Sequence, residues 1–198
     1  MNQRILNEGI IHLVSVEPNF KRFVPDHQIE FFLRPKGFKG ICALVIEQQI
    51  SVKAAESIKK RVFNLMESVN AKSFLRLDKN LLREAGISRP KINYLTGVAE
   101  QENSGQFSFD VLKKMSDEDA RKSLESMKGI GSWTADCYLM ACLGRQDIWP
   151  VGDIGLQEGV RRLKDLKERP NVEDMTCLAR EWRPFRSVAA NLLWADYD

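Results

Sequence analysis

Apolar residues recur at intervals of three and four along almost the whole chain, and this periodicity constrains the fold more than any other feature of the sequence. Ala54, Ile58, Val62 and Leu65 share one helix face, and Ala120, Leu124 and Met127 share another. Leu178, Trp182, Val188 and Leu192 form a third set, which Pro184 breaks in two. No segment shows the strict alternation of a half-buried strand, and no Asn-Gly or Asp-Gly pair marks a tight hairpin between strands. The expected fold is all-α, with roughly nine to eleven helices joined by short loops. Breakers place the joints. Arg34-Pro35-Lys36-Gly37 separates an N-terminal helical piece from a helix starting near Phe38. Gly86-Ile87-Ser88-Arg89-Pro90 separates two more. Gly129-Ile130-Gly131 makes a very short break, and Trp149-Pro150-Val151-Gly152 precedes a further helix.

Composition excludes several classes of function. A chain of 198 residues, 43% hydrophobic and 29% charged, supports one sizeable core or two lobes sharing one. The net charge of +3 permits nucleic-acid binding without requiring it, because binding depends on local charge. Cys42, Cys137, Cys142 and Cys177 form no C-x-x-C pair, and His12 and His27 are the only histidines. Neither a zinc site nor a disulfide framework is expected. No apolar run is long enough to span a bilayer, and Met1 to Glu8 lack the build of a signal peptide. The expectation is an intracellular protein with reduced cysteines.

The strongest local signal is Met127-Lys128-Gly129-Ile130-Gly131-Ser132-Trp133-Thr134-Ala135. A helical face enters it from Ala120, and a helix from Thr134 to Leu143 leaves it. Two glycines around one aliphatic residue give a tight turn in which positive φ is tolerated and another backbone can approach. The second helix then opens with N–H groups directed outward, with Ser132 or Thr134 as a candidate cap. Such a helix start beside glycine binds a phosphate oxygen, and Lys128 adds a positive charge. An ordinary αα-turn has the same bare G-x-G, so these residues alone leave both alternatives open.

Downstream, Asp153 follows Trp149-Pro150-Val151-Gly152 and opens a helix. Aspartate there is a good N-cap. The helix dipole also favours an anion at that place, so capping and chemistry are compatible roles. Asp136 and Asp147 are the neighbouring carboxylates in sequence. The first is expected on a solvated face or in a cap contact, the second in a surface loop. Arg161, Arg162 and Lys164 read as a solvated helix face.

The G-I-G-x-W-T-A hairpin, followed by a helix and then P-x-x-D opening the next, resembles the helix-hairpin-helix DNA glycosylase superfamily, and within it the 3-methyladenine DNA glycosylase II branch. Three further segments resemble that family. They are Ala43 to Ser51 with its I-x-x-Q-Q-x-S pattern, Gly86 to Lys91 with G-x-S-x-x-K, and Trp182 to Ser187 with W-x-P-x-R-S, running on to Trp194. The four matches stand in the family's order and span about residues 40 to 194; residues 1 to 35 match less distinctively.

The resemblance implies a two-lobed helical fold around a DNA-binding cleft. Residues 36–150 would form one lobe, with the hairpin at 127–135. Residues 1–35 and 151–198 would form the other. The chain is too short for the extra N-terminal β-domain of some relatives. The resemblance implies that Asp153 is the catalytic carboxylate. Trp133 stands where strand-cleaving relatives carry a Schiff-base lysine, so the implied enzyme is monofunctional, with water as the nucleophile. Only Cys177 lies beyond Cys142, which excludes the four-cysteine iron–sulfur cluster of other relatives. Trp133 and Trp194 align with aromatic pocket positions suited to a cationic alkylated purine. Cys137 stands at a pocket position that is aromatic in relatives and implies a wider or differently shaped pocket. Gln48, Gln49 and Ile50 would fill the gap left by the flipped base, and Arg89 and Lys91 would touch the DNA backbone. Gly129, Ile130, Gly131, Ser132 and Thr134 would hold a phosphate. The carbonyls of Lys128 and Ile130 would be donors to a structural Na+ or K+, and no other cofactor is implied. The implied partner is double-stranded DNA carrying a damaged base, bound by a monomer. A glycosylase for a deaminated or oxidised base and a non-catalytic helix-hairpin-helix DNA-binding module are the competing functions.

Overall fold

The computed structural model describes residues 3–24 and 32–195. Among the described residues there are twelve α-helices, one 3-10 helix and one π-helical segment, and no strand. The chain opens with α1 (Gln3–Val16) and a 3-10 helix (Pro18–Phe23). Residues 32–36 are not helical, and His27, with most of the rest of the expected N-terminal helical piece, lies outside the described residues.

Residues 34–138 form one compact unit. It contains α2 (Phe38–Glu47), α3 (Val52–Asn64), α4 (Ala71–Leu75), α5 (Lys79–Glu84), α6 (Arg89–Ser104), α7 (Phe109–Leu112), α8 (Asp117–Glu125) and α9 (Ser132–Cys137). Side-chain caps set most starts: Ser51, Asn70, Asp78, Ser108 and Ser116 each accept an N–H from their helix's first turn. Helix α2 is apolar on nearly all sides and buries Ile41, Leu44 and Val45 completely, as a central helix must. Phe38 packs on Phe74 with ring centroids 5.4 Å apart.

The face expected for α3 is rotated. Ala54 is exposed, and the buried positions are Ala55, Lys59 and Val62. Lys59 lies inside because its ammonium meets the Glu47 carboxylate at 2.6 Å and also pairs with Glu56, while Arg34 approaches Glu47 at 3.0 Å. A buried cation is tolerable when paired in this way, and hydrophobic spacing has no means of registering it.

The described residues before 34 and those after 138 form a second compact unit, with α10 (Ile154–Leu163), α11 (Val172–Leu178) and α12 (Arg186–Ala195). The helix leaving the hairpin is shorter than expected: α9 gives way to a π-helical segment, Tyr138–Cys142, within which the chain passes from one unit to the other. The sequence places the boundary at 150. In the structure residues 146–149 are tied to the C-terminal part of the chain. Ser187 N–H donates to Gln146 O at 3.0 Å, Ile148 N–H to Ser187 Oγ at 2.9 Å, and the Trp149 indole to Met175 O at 3.1 Å. Trp182 is the hub of this core, with Phe20 and Trp149 edge-on at 5.2 and 5.3 Å. Gly9 and Gly159 let α1 and α10 approach α12 closely: a Cβ at either would lie within 3 Å of Val188 or Leu193.

No disulfide joins the four cysteines, and burial pushes the Cys42 thiol up to about 12. Among the described residues no group of three or more His, Cys, Asp or Glu side chains could hold a metal ion, and no helix is long and apolar enough to cross a membrane.

Candidate active site and hairpin

Asp153 is the N-cap of α10. Its extended backbone (φ −78°, ψ 120°) lets Oδ1 accept the Leu156 N–H at 2.7 Å. The turn before it is closed by Asp153 N–H on Pro150 O at 3.0 Å and braced by the Gln157 amide on Val151 O at 3.2 Å. The same Oδ1 accepts the indole N–H of Trp194 at 3.0 Å. Trp194 is in turn held edge-on by Phe32 at 5.2 Å, and Gly155 leaves room for the contact, since a Cβ there would lie 3.1 Å from Oδ1. The carboxylate thus has a defined direction, to which the Leu156 N–H and the Trp194 indole of α12 both contribute. Trp194, expected as a pocket wall, is placed by the structure against Asp153, whose carboxylate its indole N–H orients.

The two neighbouring carboxylates are committed elsewhere. Asp136 is 5% exposed and sits against Arg121, with Oδ1 2.7 Å from Nε and 2.6 Å from Nη2. It is neither a solvated face nor a cap; it clamps α8 to α9. Asp147 is not a loose loop residue. Arg186 grips it through two N–H bonds to the carboxylate, at 2.7 and 3.0 Å, and a third to its carbonyl at 2.8 Å, with Arg183 at 3.5 Å.

The hairpin forms where expected, but its two glycines have different reasons to be there. Gly129 has φ +87°, and a Cβ on it would fall 2.1 Å from Cγ of Tyr94, inside the ring. Gly131 has φ −90° with no atom within 4 Å of a would-be Cβ; it is the N-cap of α9 and is open to solvent. Neither Ser132 nor Thr134 caps the helix, contrary to expectation: the N-cap is Gly131 and no side chain bonds the first turn. Thr134 is 2% exposed and its Oγ1 accepts from the Gln48 amide at 2.8 Å. Ile130 is buried beneath the turn, whereas Lys128 and Ser132 are exposed.

The other expected DNA contacts divide. Gln48 does not point outward: its Nε2 donates to Gly129 O at 3.1 Å as well as to Thr134, tying the α2–α3 turn to the hairpin. Gln49, at φ +55°, and Ile50, 37% exposed, form the protruding part of that turn. Lys91 is not a surface cation. Its ammonium donates to Ile46 O at 2.8 Å and Gln48 O at 2.7 Å, capping the C-terminal end of α2, and burial pulls it below the usual lysine range. Arg89, at the start of α6, is exposed. Trp133 is half-buried on α9, while Cys137 is fully buried and presents no surface. A residue covered on all sides cannot widen an open pocket, so the sequence-based inference from Cys137 has no counterpart in the structure. Tyr94, Phe32 and Arg121 escaped the sequence analysis. Tyr94 alone had a usable signal, being one helical turn beyond Lys91.

The sequence and the fold are similar to those of known proteins. The model of the HhH-GPD superfamily of base excision DNA repair proteins matches residues 42–184. The chain belongs to that superfamily. It is 30% identical over 172 residues to the DNA-3-methyladenine glycosylase of Bacillus subtilis, covering 81% of this chain and 57% of that protein, so it spans just over half of that relative's length. Against DNA-3-methyladenine glycosylase 1 of Schizosaccharomyces pombe it is 29% identical over 212 residues, covering 97% of this chain and 90% of that protein. Among solved structures, it resembles the S. pombe 3-methyladenine DNA glycosylase in complex with abasic DNA, with a TM-score of 0.87 and 27% identity over 94% of this chain and 95% of that one. The DNA-3-methyladenine glycosidase of Bacillus halodurans gives 0.81 and 30%, over 96% and 88%.

Proposed function

We propose that this chain is a monofunctional DNA glycosylase that hydrolyses the N-glycosidic bond of alkylated purines in duplex DNA, the first step of base excision repair. The observation that carries the proposal is the doubly anchored Asp153 at the start of α10, in a chain whose relatives are named as 3-methyladenine glycosylases. The target nucleotide leaves the base stack, and the electron pair of the C1′–N bond departs with the base. An N-alkylated purine is cationic before cleavage and neutral after it, so it leaves without a general acid. The sugar passes through an oxocarbenium-like state, which the Asp153 carboxylate stabilises. Water adds to C1′, its proton passes to Asp153 and then to solvent, and the product is an abasic site. Trp133 cannot form the Schiff base that strand cleavage requires.

The hairpin has the separate task of holding the DNA backbone. Its outward helix start and Lys128 suit a phosphate. The carbonyls of Met127 and Gly129 are occupied, by Ile130 N–H and by Gln48. Those of Lys128 and Ile130 accept no hydrogen bond from the described residues, and they are the two oxygens that would coordinate a Na+ or K+, whose chemistry is to draw a DNA phosphate to the turn. The enzyme acts as a monomer.

A panel of lesion-bearing duplexes tests the proposal. Release of 3-methyladenine or 7-methylguanine by wild-type protein, lost in Asp153→Asn, is the expected result. Faster excision of a deaminated or oxidised neutral base would overturn the substrate assignment, and equal release by wild type and D153N would overturn the catalytic one.

A further inference from the structure

Three observations within residues 34–138 concern groups that the glycosylase chemistry does not use. The ammonium of Lys91 spends two of its three protons on the carbonyls of Ile46 and Gln48, at the exact point where α2 ends. Gln48, held through its carbonyl, turns its side-chain amide onto Gly129 O and Thr134 Oγ1 of the hairpin. Tyr94 lies one turn beyond Lys91 on α6, and its ring is packed so tightly under Gly129 that no Cβ could stand between them. Residues three apart on a helix share a face, so one face of α6 supports both loops: Lys91 holds the Gln48–Ile50 turn and Tyr94 holds the hairpin.

We propose that Lys91 and Tyr94 are positioning residues, which fix the protruding turn Gln49–Ile50 and the phosphate-binding hairpin in one register so that both meet the same stretch of DNA. Lys91 then contributes to binding through geometry and makes no phosphate contact. This rests on the DNA-binding role proposed above and adds the device that couples its two contact loops. The physical reason is the backbone at Gln49. A non-glycine residue at φ +55° is disfavoured and holds that shape only when its neighbours are pinned. The bond from Lys91 to Gln48 O pins the residue immediately before it. The Gln48 side chain carries that constraint across to the hairpin.

Direct contact and positioning differ in salt dependence. A lysine on a phosphate releases a counterion, and its loss reduces the slope of log K against log salt by about one; a positioning lysine leaves the slope unchanged. The experiment measures affinity of the full chain for a duplex with a tetrahydrofuran abasic analogue across a NaCl series, with 2-aminopurine beside the analogue to report unstacking in the saturated complex. Wild type, Lys91→Met and Lys128→Met are compared, each corrected for its active fraction. Lys128→Met is expected to lose about one unit of slope and to keep wild-type 2-aminopurine emission at saturation. Lys91→Met is expected to bind roughly tenfold more weakly with the wild-type slope, and to lose at least half of the emission change because the turn no longer enters the duplex in register. Should Lys91→Met fail to fold, Lys91→Gln, uncharged but able to keep one carbonyl bond, should show the same unaltered slope. A slope reduced by one in either Lys91 variant, or wild-type emission at saturation, overturns the positioning role while leaving DNA binding intact. A wild-type chain that binds no duplex overturns both.

Discussion

At the scale of single residues, Asp153 combines a cap and a charge that substitution can separate. Asparagine caps as well as aspartate and can still accept from Leu156 and Trp194. Asp153→Asn should therefore melt within a degree or two of wild type, yet lose roughly a hundredfold or more in single-turnover rate, the usual scale for removing one preorganised electrostatic group. Trp194→Phe keeps the ring against Phe32 but removes the N–H that aims Oδ1; a loss of roughly tenfold in rate at unchanged DNA affinity is expected. The two hairpin glycines separate stability from binding in the same way. Gly129→Ala combines positive φ with a clash into Tyr94 and should cost about 2–4 kcal/mol in urea unfolding. Gly131→Ala meets no protein atom and should cost less than about 1 kcal/mol, while the proposed phosphate contact at this turn predicts a weaker DNA affinity. Equal effects of the two substitutions on stability would contradict this assignment.

At the scale of elements, the hairpin is a pair of helices held by charge as well as by a turn. Asp136 on α9 is almost wholly buried against Arg121 of α8. Asp136→Ala should cost about 1–3 kcal/mol by urea unfolding, below the range for a fully buried pair because the Arg121 side chain, 34% exposed, can return to water. Helix α10 carries a second charge device. Arg161, and then Arg162, hold the Glu158 carboxyl down to about 2 from its ordinary 4.5. A carboxylate with a depressed folded pKa adds stability that is complete above 4.5 and is lost as the pH falls from there towards 2. Glu158→Gln should therefore flatten the decline of the urea midpoint between pH 4.5 and pH 2 and leave neutral-pH stability nearer to that of acidic solution; an identical acid profile in wild type and variant would refute the linkage. Helix boundaries were legible where a breaker or a cap was read, as at Arg34–Gly37 before α2, Gly86–Pro90 before α6 and Asp153 before α10. The buried face of α3 was not, because it includes Lys59, whose burial depends on Glu47 in another helix.

At the scale of the whole molecule, the proposed DNA contact through backbone N–H groups of the hairpin brings few lysine–phosphate or arginine–phosphate pairs. The slope of log K against log salt for duplex DNA should be shallow, about −3 or less in magnitude, measurable by titration of an abasic-site duplex. A slope near −8 would mean that many lysine–phosphate or arginine–phosphate pairs carry the binding.

The sequence by itself determined the all-helical class, through a spacing of three and four that only helices satisfy, and it determined the hairpin and the carboxylate, because a turn needing positive φ and a helix start needing a cap are local demands written in local residues. Its motifs also carried the family. Only the tertiary structure decided which members of those motifs face outward. Lys91 and Gln48 look like surface polar residues in one dimension. Folding brings the ends of α2, α6 and the hairpin together, and the unsatisfied carbonyls of Ile46, Gln48 and Gly129 then claim them. Likewise Trp194 is merely an aromatic residue 41 positions from Asp153 until α10 and α12 pack and its indole N–H meets Oδ1. Hydrogen bonds between elements distant in sequence depend on packing geometry, which no local pattern encodes.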